Sequence, residues 1–293
     1  MGLLFKFLSV WPLGLLHAVG WCLGWLAFGL SGSYRAQFRQ NAGQAGLALP
    51  QSKNSLNGAV GAAGQLLAEL PRLWFGKPVP IEWDGTQHIE AALALGKGIV
   101  FLTPHLGCFE VTAQAYAQRF GVARPGQAAK PMTVLYRPPR KTWLTDLVSH
   151  ARTRPGLQTA PTTLAGVKQL IRALKAGECV GLLPDQVPPL GQGVWAPFFG
   201  KNAYTMTLAT RLAQQTGATT LIAWGERLPA ARGYVVHVNV QAPAHTRVPA
   251  RESPASLAEA TTRMNLAMQQ LIAACPQQYL WGYARYKPPR AEP

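Results

Sequence analysis

The sequence predicts an α/β protein: a largely parallel central sheet flanked by helices, with an N-terminal membrane-anchoring helix ahead of it. Three observations carry this reading. Apolar runs end abruptly in proline and a polar residue, at Ile99-Val-Phe-Leu-Thr-Pro-His105, Met132-Thr-Val-Leu-Tyr136-Arg137 and Cys179-Val-Gly-Leu-Leu183-Pro184-Asp185. Continuous apolar runs of this length suit strands buried on both faces of a parallel sheet. Between the last two, residues 162–176 place Leu164, Val167, Leu170, Ile171 and Leu174 at helical spacing, with Thr162 as N-cap and Gly177 as stop. Strand–helix alternation of this kind implies right-handed βαβ units. The third observation is that residues 7–34 contain no Asp, Glu, Lys or Arg.

Taken in order, residues 1–34 form the anchor and residues 35–293 one catalytic domain, the economical division for 293 residues of which 48% are hydrophobic. Twenty-odd apolar residues suffice to span a bilayer, with Trp11, Trp21 and Trp25 as interfacial anchors. Pro12, His17 and four glycines weaken a straight spanning helix, so an interfacial helix or hairpin-like insertion stays open. The run exceeds a signal-peptide core, and Leu30-Ser-Gly-Ser33 is a poor cleavage site. Arg35, Arg39 and Lys53 after the segment, against Lys6 before it, place the domain on the cytoplasmic side. Further on, 109–120 and 203–215 read as helices. Residues 219–224 and 234–240 read as strands of an antiparallel edge, and Ser256 with Glu259 has capping-box spacing at the head of a last helix.

The chemistry gathers at strand ends. In open α/β sheets, functional groups collect outside the carboxyl ends of the strands, which puts His105, Arg137 and Asp185 at one edge. Glu110 follows His105 by five residues. Inside one helix such residues diverge by about 140°, so they meet only if His105 lies at or before the helix start and Glu110 in its opening turns. That geometry suits a base held in one tautomer by a carboxylate. Backbone N–H groups around Gly107 are the expected donors for a developing oxyanion. Cys22, Cys108, Cys179 and Cys275 are scattered, form no C-x-x-C, and read as reduced structural thiols. The sequence shows no Gly-rich phosphate loop and no metal-ligand cluster, so neither cofactor nor metal is expected.

Charge bounds the partners. The chain has 28 Lys and Arg against 12 Asp and Glu, a net charge of +16. On a membrane-attached domain this suits anionic lipid, phosphorylated headgroups or an acidic protein. No zinc, helix-turn-helix or RNP pattern points to nucleic acid. Arg137, Arg140, Arg152 and Arg154 flank the proposed site, and guanidinium forks match phosphate and carboxylate oxygens.

These residues resemble the late acyltransferases of lipid A biosynthesis (the lauroyl and myristoyl transferases), within the wider lysophospholipid acyltransferase-like group. The resemblance covers nearly the whole chain. It rests on His105-Leu-Gly-Cys-Phe-Glu110 as an H-x-x-x-x-E signature, on Tyr136-Arg137-Pro138, and on Arg152-Thr-Arg154. It rests further on Pro184-Asp185-Gln186 with Trp195-Ala-Pro-Phe-Phe-Gly200, and on Tyr279-Leu-Trp281 through Arg285-Tyr-Lys287. The chain departs from the pattern at Tyr283 and Ala284, where many relatives carry His and Arg. The resemblance implies an enzyme of the bacterial inner membrane, active site facing the cytoplasm, that moves a fatty acyl chain from acyl carrier protein to a hydroxyl of a phosphorylated glycolipid. In that frame His105 is the general base and Glu110 orients it. Arg137, Arg152 and Arg154 bind the acceptor, Asp185 orients Arg154 or an acceptor hydroxyl, and Gln186 supports by hydrogen bonding. Two other readings stay open: a glycerophospholipid or aminolipid acyltransferase, and a catalytically silent lipid-binding protein of the same fold.

Overall fold

A computed structural model describes residues 2–46, 56–137, 147–148, 151–240 and 254–291. Arg140 and Lys53 lie outside them. The central sheet has seven strands: β1 (Ile81–Asp84), β2 (Ile99–Leu102), β3 (Met132–Tyr136), β4 (Leu157–Pro161), β5 (Cys179–Leu182), β8 (Thr219–Arg227) and β9 (Tyr234–Val240), in the order β1-β9-β8-β2-β5-β3-β4. Every pairing is parallel except β8 with β9. The sheet is therefore largely parallel, with β2 and β5 at its centre and buried at every position. The β8–β9 pair is antiparallel as expected, but β1 covers β9, so that pair is not the edge.

The sheet separates two cores because successive strand residues face opposite sides. Val100, Leu102, Val180, Leu182 and Ile222 join one core, and Ile99, Phe101, Cys179, Leu221 and Ala223 the other. Ten helices can be followed among the described residues: α1 (Gly2–Ser9), α2 (Leu13–Leu30), α3 (Gly32–Gln44), α4 (Asn57–Ala68), α5 (Leu70–Phe75), α6 (Thr86–Ala94), α7 (Phe109–Tyr116), α8 (Leu164–Lys175), α9 (Leu208–Thr216) and α10 (Pro254–Ala274). Leu170 and Leu174 of α8, Leu212 of α9 and Met264 and Met268 of α10 cover the first face. Ile89 of α6 and Val111 and Ala115 of α7 cover the second. The helix anticipated at 162–176 begins after Thr163, whose hydroxyl accepts from the Gly166 N–H. Gly177 ends it in the left-handed region, at φ 70°.

One stretch differs from the sequence reading. Residues 203–206 belong to a hairpin, β6 (Gly193–Phe198) with β7 (Lys201–Met206), so the helix following starts only at Leu208. Ala203, Tyr204 and Thr205 are buried in succession on β7, so the stretch lacks the alternation that marks a half-exposed strand. The N-terminal segment, expected as an anchoring helix, also packs against the rest of the chain. Pro12 separates α1 from α2, and α2 lies along α4 at backbone contact. A Cβ on Gly64 would stand 1.9 Å from the Gly20 carbonyl oxygen, and one on Gly24 would stand 2.3 Å from that of Val60. Two of the four glycines that weaken a spanning helix, Gly20 and Gly24, form its packing seam. Close approach through small residues is a recurrent way for apolar helices to associate.

Filling that seam should therefore cost stability. Gly64→Val is expected to destabilise the protein by at least about 1–3 kcal/mol, the usual penalty of overpacking. Gly43→Ala is the control, because a Cβ there meets open space on α3. It should leave stability unchanged or raise it by about 0.5–1 kcal/mol. Thermal unfolding of both variants in the same detergent checks this, and equal midpoints would refute the seam.

Candidate active site

Parallel pairing brings the site together. Leu102 of β2 stands beside Leu182 of β5, and the Thr103 N–H donates to the Leu182 carbonyl just beyond. Both chains then continue through a proline, Pro104 and Pro184, to a polar residue three positions past the matched leucines. His105 and Asp185 thus emerge side by side. One Asp185 oxygen accepts the backbone N–H of His105 at 2.8 Å, and the other lies 2.7 Å from the ring Nδ1. With Nδ1–H donating to the carboxylate, Nε2 is left as an acceptor. The Gln186 amide donates to it at 3.0 Å.

Asp185 is only 2% exposed. Burial pushes its carboxyl up, yet the adjoining imidazole, its hydrogen bonds with His105 and the Arg285 charge hold it below the usual range. An ionised carboxylate here stabilises a protonated imidazole. Arg285 is itself buried, donating to the Tyr204 carbonyl at 2.8 Å and to the Thr205 hydroxyl at 2.6 Å.

The expected contact between His105 and Glu110 is not made. Gly107 turns through φ 60°, and isolated bridges pair Leu106 with Tyr279 and Gly107 with Gly225. These tie down the chain between the two residues, and Glu110 enters the first turn of α7 among other partners. The Trp74 indole donates to it at 3.2 Å, and the Arg152 guanidinium pairs with both its oxygens. Arg152 also stacks over the Tyr136 ring, 5.3 Å from the centroid. The Phe109 ring, not Glu110, lies against the imidazole, at 5.0 Å.

The remaining arginines divide. Arg137 follows β3 and is exposed. Arg154 is engaged within the protein: Nη1 donates to Gln114 at 2.9 Å, and Nη2 to the Ala151 carbonyl at 2.9 Å and the Trp74 carbonyl at 3.4 Å. Its guanidinium is thus occupied in holding Gln114 and backbone carbonyls, unlike the exposed Arg137. Asp185 likewise orients His105 rather than Arg154. The N–H groups of residues 105–108 all donate internally, to Asp185, Pro104, Gln278 and Gly225, which removes the oxyanion donors expected around Gly107. Burial pushes the Cys108 thiol well up, consistent with a structural role.

The C-terminal segment supports this turn. The Leu280 N–H donates to the His105 carbonyl at 3.0 Å, and the Gln278 carbonyl accepts the Gly107 N–H at 3.0 Å. Tyr283, one of the two departures in the tail, accepts the Val187 N–H on its hydroxyl at 2.9 Å and so steadies the loop carrying Asp185 and Gln186. Trp74 and Tyr283 were not legible as site residues, since their partners are 36 and 96 positions away.

The chain from residue 8 to residue 288 matches the family model described as bacterial lipid A biosynthesis acyltransferase. It is 28% identical over 232 residues to the lipid A biosynthesis lauroyltransferase of Escherichia coli (strain K12), covering 77% of this chain and 69% of that one. It is 26% identical over 200 residues to a lipid A biosynthesis acyltransferase of Haemophilus influenzae, covering 68% and 57%. It is 23% identical over 231 residues to the lipid A biosynthesis palmitoleoyltransferase of Escherichia coli (strain K12), covering 76% and 68%. With the model matched over nearly its whole length, the chain belongs to the bacterial lipid A biosynthesis acyltransferase family.

Proposed function

We propose that this acyltransferase moves a fatty acyl chain from an acyl carrier protein thioester to a hydroxyl of a phosphorylated lipid A precursor, at the cytoplasmic face of the bacterial inner membrane. The observation that carries the mechanism is the His105 imidazole, held by buried Asp185 at Nδ1 and carrying its acceptor lone pair at Nε2. Nε2 takes the proton of the acceptor hydroxyl as its oxygen attacks the thioester carbon. A C–O bond forms, the C–S bond breaks, and the imidazolium returns the proton to the departing thiolate. No acyl-enzyme is needed. Gln186 occupies the position the hydroxyl must take, so substrate displaces its amide, which is then free to donate to the developing oxyanion.

Glu110 acts through Arg152, keeping that guanidinium fixed beside Tyr136 where an anionic acceptor enters. A planar fork matches phosphate oxygens. Membrane attachment draws on α1 and α2. One helix among the described residues, Leu13–Leu30, is long and apolar enough to cross a bilayer. Leu3 and Phe7 on α1, Val10 in the turn after it, and Leu23, Leu26 and Leu30 on α2 stand exposed. Exposed apolar area of this extent marks a surface meant to be covered, and a lipid phase that also holds the acceptor is the occupant we propose.

Purified chain incubated with acyl carrier protein thioester and lipid A precursor should yield a product heavier by one acyl group. His105→Ala and Asp185→Asn, each folded, should both lower kcat by about 10²–10⁴-fold. Asp185→Asn with near-normal turnover would remove the carboxylate from the mechanism. Glu110→Gln and Arg152→Gln should each raise KM for the acceptor, and the double variant should be no worse than the poorer single, because both remove one unit. Additive losses in the double variant would show that the two act separately.

A further inference from the structure

A second buried ionic cluster lies apart from the Asp185 pair and takes no part in the chemistry above. Glu69, between α4 and α5, is wholly buried. Its carboxylate accepts Arg227 Nε at 2.9 Å and Nη2 at 2.6 Å, the Tyr234 hydroxyl at 2.8 Å, and His17 Nε2 at 3.0 Å. Burial pushes the Glu69 carboxyl up, but the Arg227 charge and hydrogen bonds from His17 and Arg227 prevail and bring it to about 2. Arg227 uses the same Nη2 to donate to the Gly107 carbonyl at 2.9 Å. A buried ion pair is weak evidence for stability, since desolvation offsets most of the attraction. What this one does is geometric. It runs from His17 on α2, through Glu69, to the peptide two residues after His105.

Gly107 is clamped at both of its backbone groups, its carbonyl by Arg227 and its N–H by the Gln278 carbonyl. Gln278 is bonded in turn to the Arg227 backbone, its Oε1 accepting the N–H at 2.9 Å and its Nε2 donating to the carbonyl at 3.1 Å. Gly107 sits at φ 60°, and a Cβ there would stand 2.0 Å from the Gly225 oxygen, so the turn has no slack. We infer that Glu69 and Arg227 are positioning residues for the His105 turn, and that His17 makes the seating of the N-terminal helix part of that positioning. This rests on the reading of His105 as the base. The apolar helix is then a working part of the enzyme: when α2 is lifted from its seat, Glu69 loses one of its donors and the Gly107 peptide its backing.

The test uses the full-length chain in mixed micelles, with acyl carrier protein thioester and lipid A precursor as substrates. Each variant is assayed well below its own unfolding midpoint. Arg227→Lys keeps the charge facing Glu69 but loses the fork that also reaches Gly107. It should lower kcat by about 10–100-fold with KM within about twofold, the signature of a misplaced catalytic group. His17→Ala should lower kcat in the same way while membrane partition is unchanged, and His17→Gln, whose amide still donates to Glu69, should restore most of it. Should Arg227→Lys fail to fold, the His17 pair decides. Full kcat in His17→Ala, or a loss that His17→Gln does not rescue, would overturn the inference. His105→Ala run in parallel separates the two readings: if it is inactive while the His17 variants are normal, the base stands and the positioning falls. Turnover in His105→Ala would remove the base itself.

Discussion

The site depends on one carboxylate that makes two different hydrogen bonds. Asp185 binds the His105 backbone N–H with one oxygen and the ring Nδ1 with the other. The first bond sets where the residue lies, and the second sets its tautomer and ring plane. A carboxylate that did only the second would leave the backbone of the turn to be placed by other means. Asp185 does both because β2 and β5 are hydrogen-bonded neighbours in phase. Their common continuation through proline then keeps the two chains in step for three further residues. The His105–Asp185 arrangement is thus a property of strand register before it is one of side-chain chemistry.

Register also explains what the sequence revealed and what it withheld. The strands β2, β3 and β5 and the helix α8 were legible, because unbroken apolar runs and a clear 3.6-residue period leave little else for those residues to do. The short strand β1 and the pleat of β4 carry weak patterns, Ile81-Glu-Trp-Asp and Leu157-Gln-Thr-Ala-Pro, and the larger sheet order chooses them. The 203–206 stretch went the other way: pairing with β6 in a hairpin that buries Ala203, Tyr204 and Thr205 overrode a local preference for helix. That His105, Arg137 and Asp185 share the carboxyl edge followed from strand alternation alone. Which of them touch did not, because it depends on which strand lies beside which.

The misplaced partner of His105 shows the limit in one residue. Sequence proximity favoured Glu110, five positions on, over Asp185, 80 positions away. Yet proximity along a chain that turns through Gly107 at positive φ is a poor guide to contact. The signal that could have found Asp185 was present: Leu102-Thr-Pro-His105 and Leu182-Leu-Pro-Asp185 repeat one pattern at the ends of two strands. Identical punctuation at equal distance from the strand end places two polar residues on one level, and adjacency then pairs them. No comparable local signal marks Arg154 as a structural fork, because the carbonyls it holds belong to α5 and to its own turn.

Acidic residues are scarce in this chain, 12 against 28 basic ones, and their placement decides what the excess charge can do. Among the described residues three carboxylates are buried, Glu69, Glu110 and Asp185, and each faces a basic group: Arg227, Arg152 and His105. The interior therefore holds its carboxylates in pairs with basic groups, and these pairs do not offset the excess of lysine and arginine. Along α1 and α2 the outer face is apolar. Apolar side chains beside uncompensated cations suit an interface where hydrocarbon meets phosphate, since one term rewards burial and the other rewards anionic headgroups. A phosphorylated lipid acceptor presents both features in one molecule. On the function proposed above, the arrangement that holds the protein at such an interface also holds it where a lipid acceptor lies.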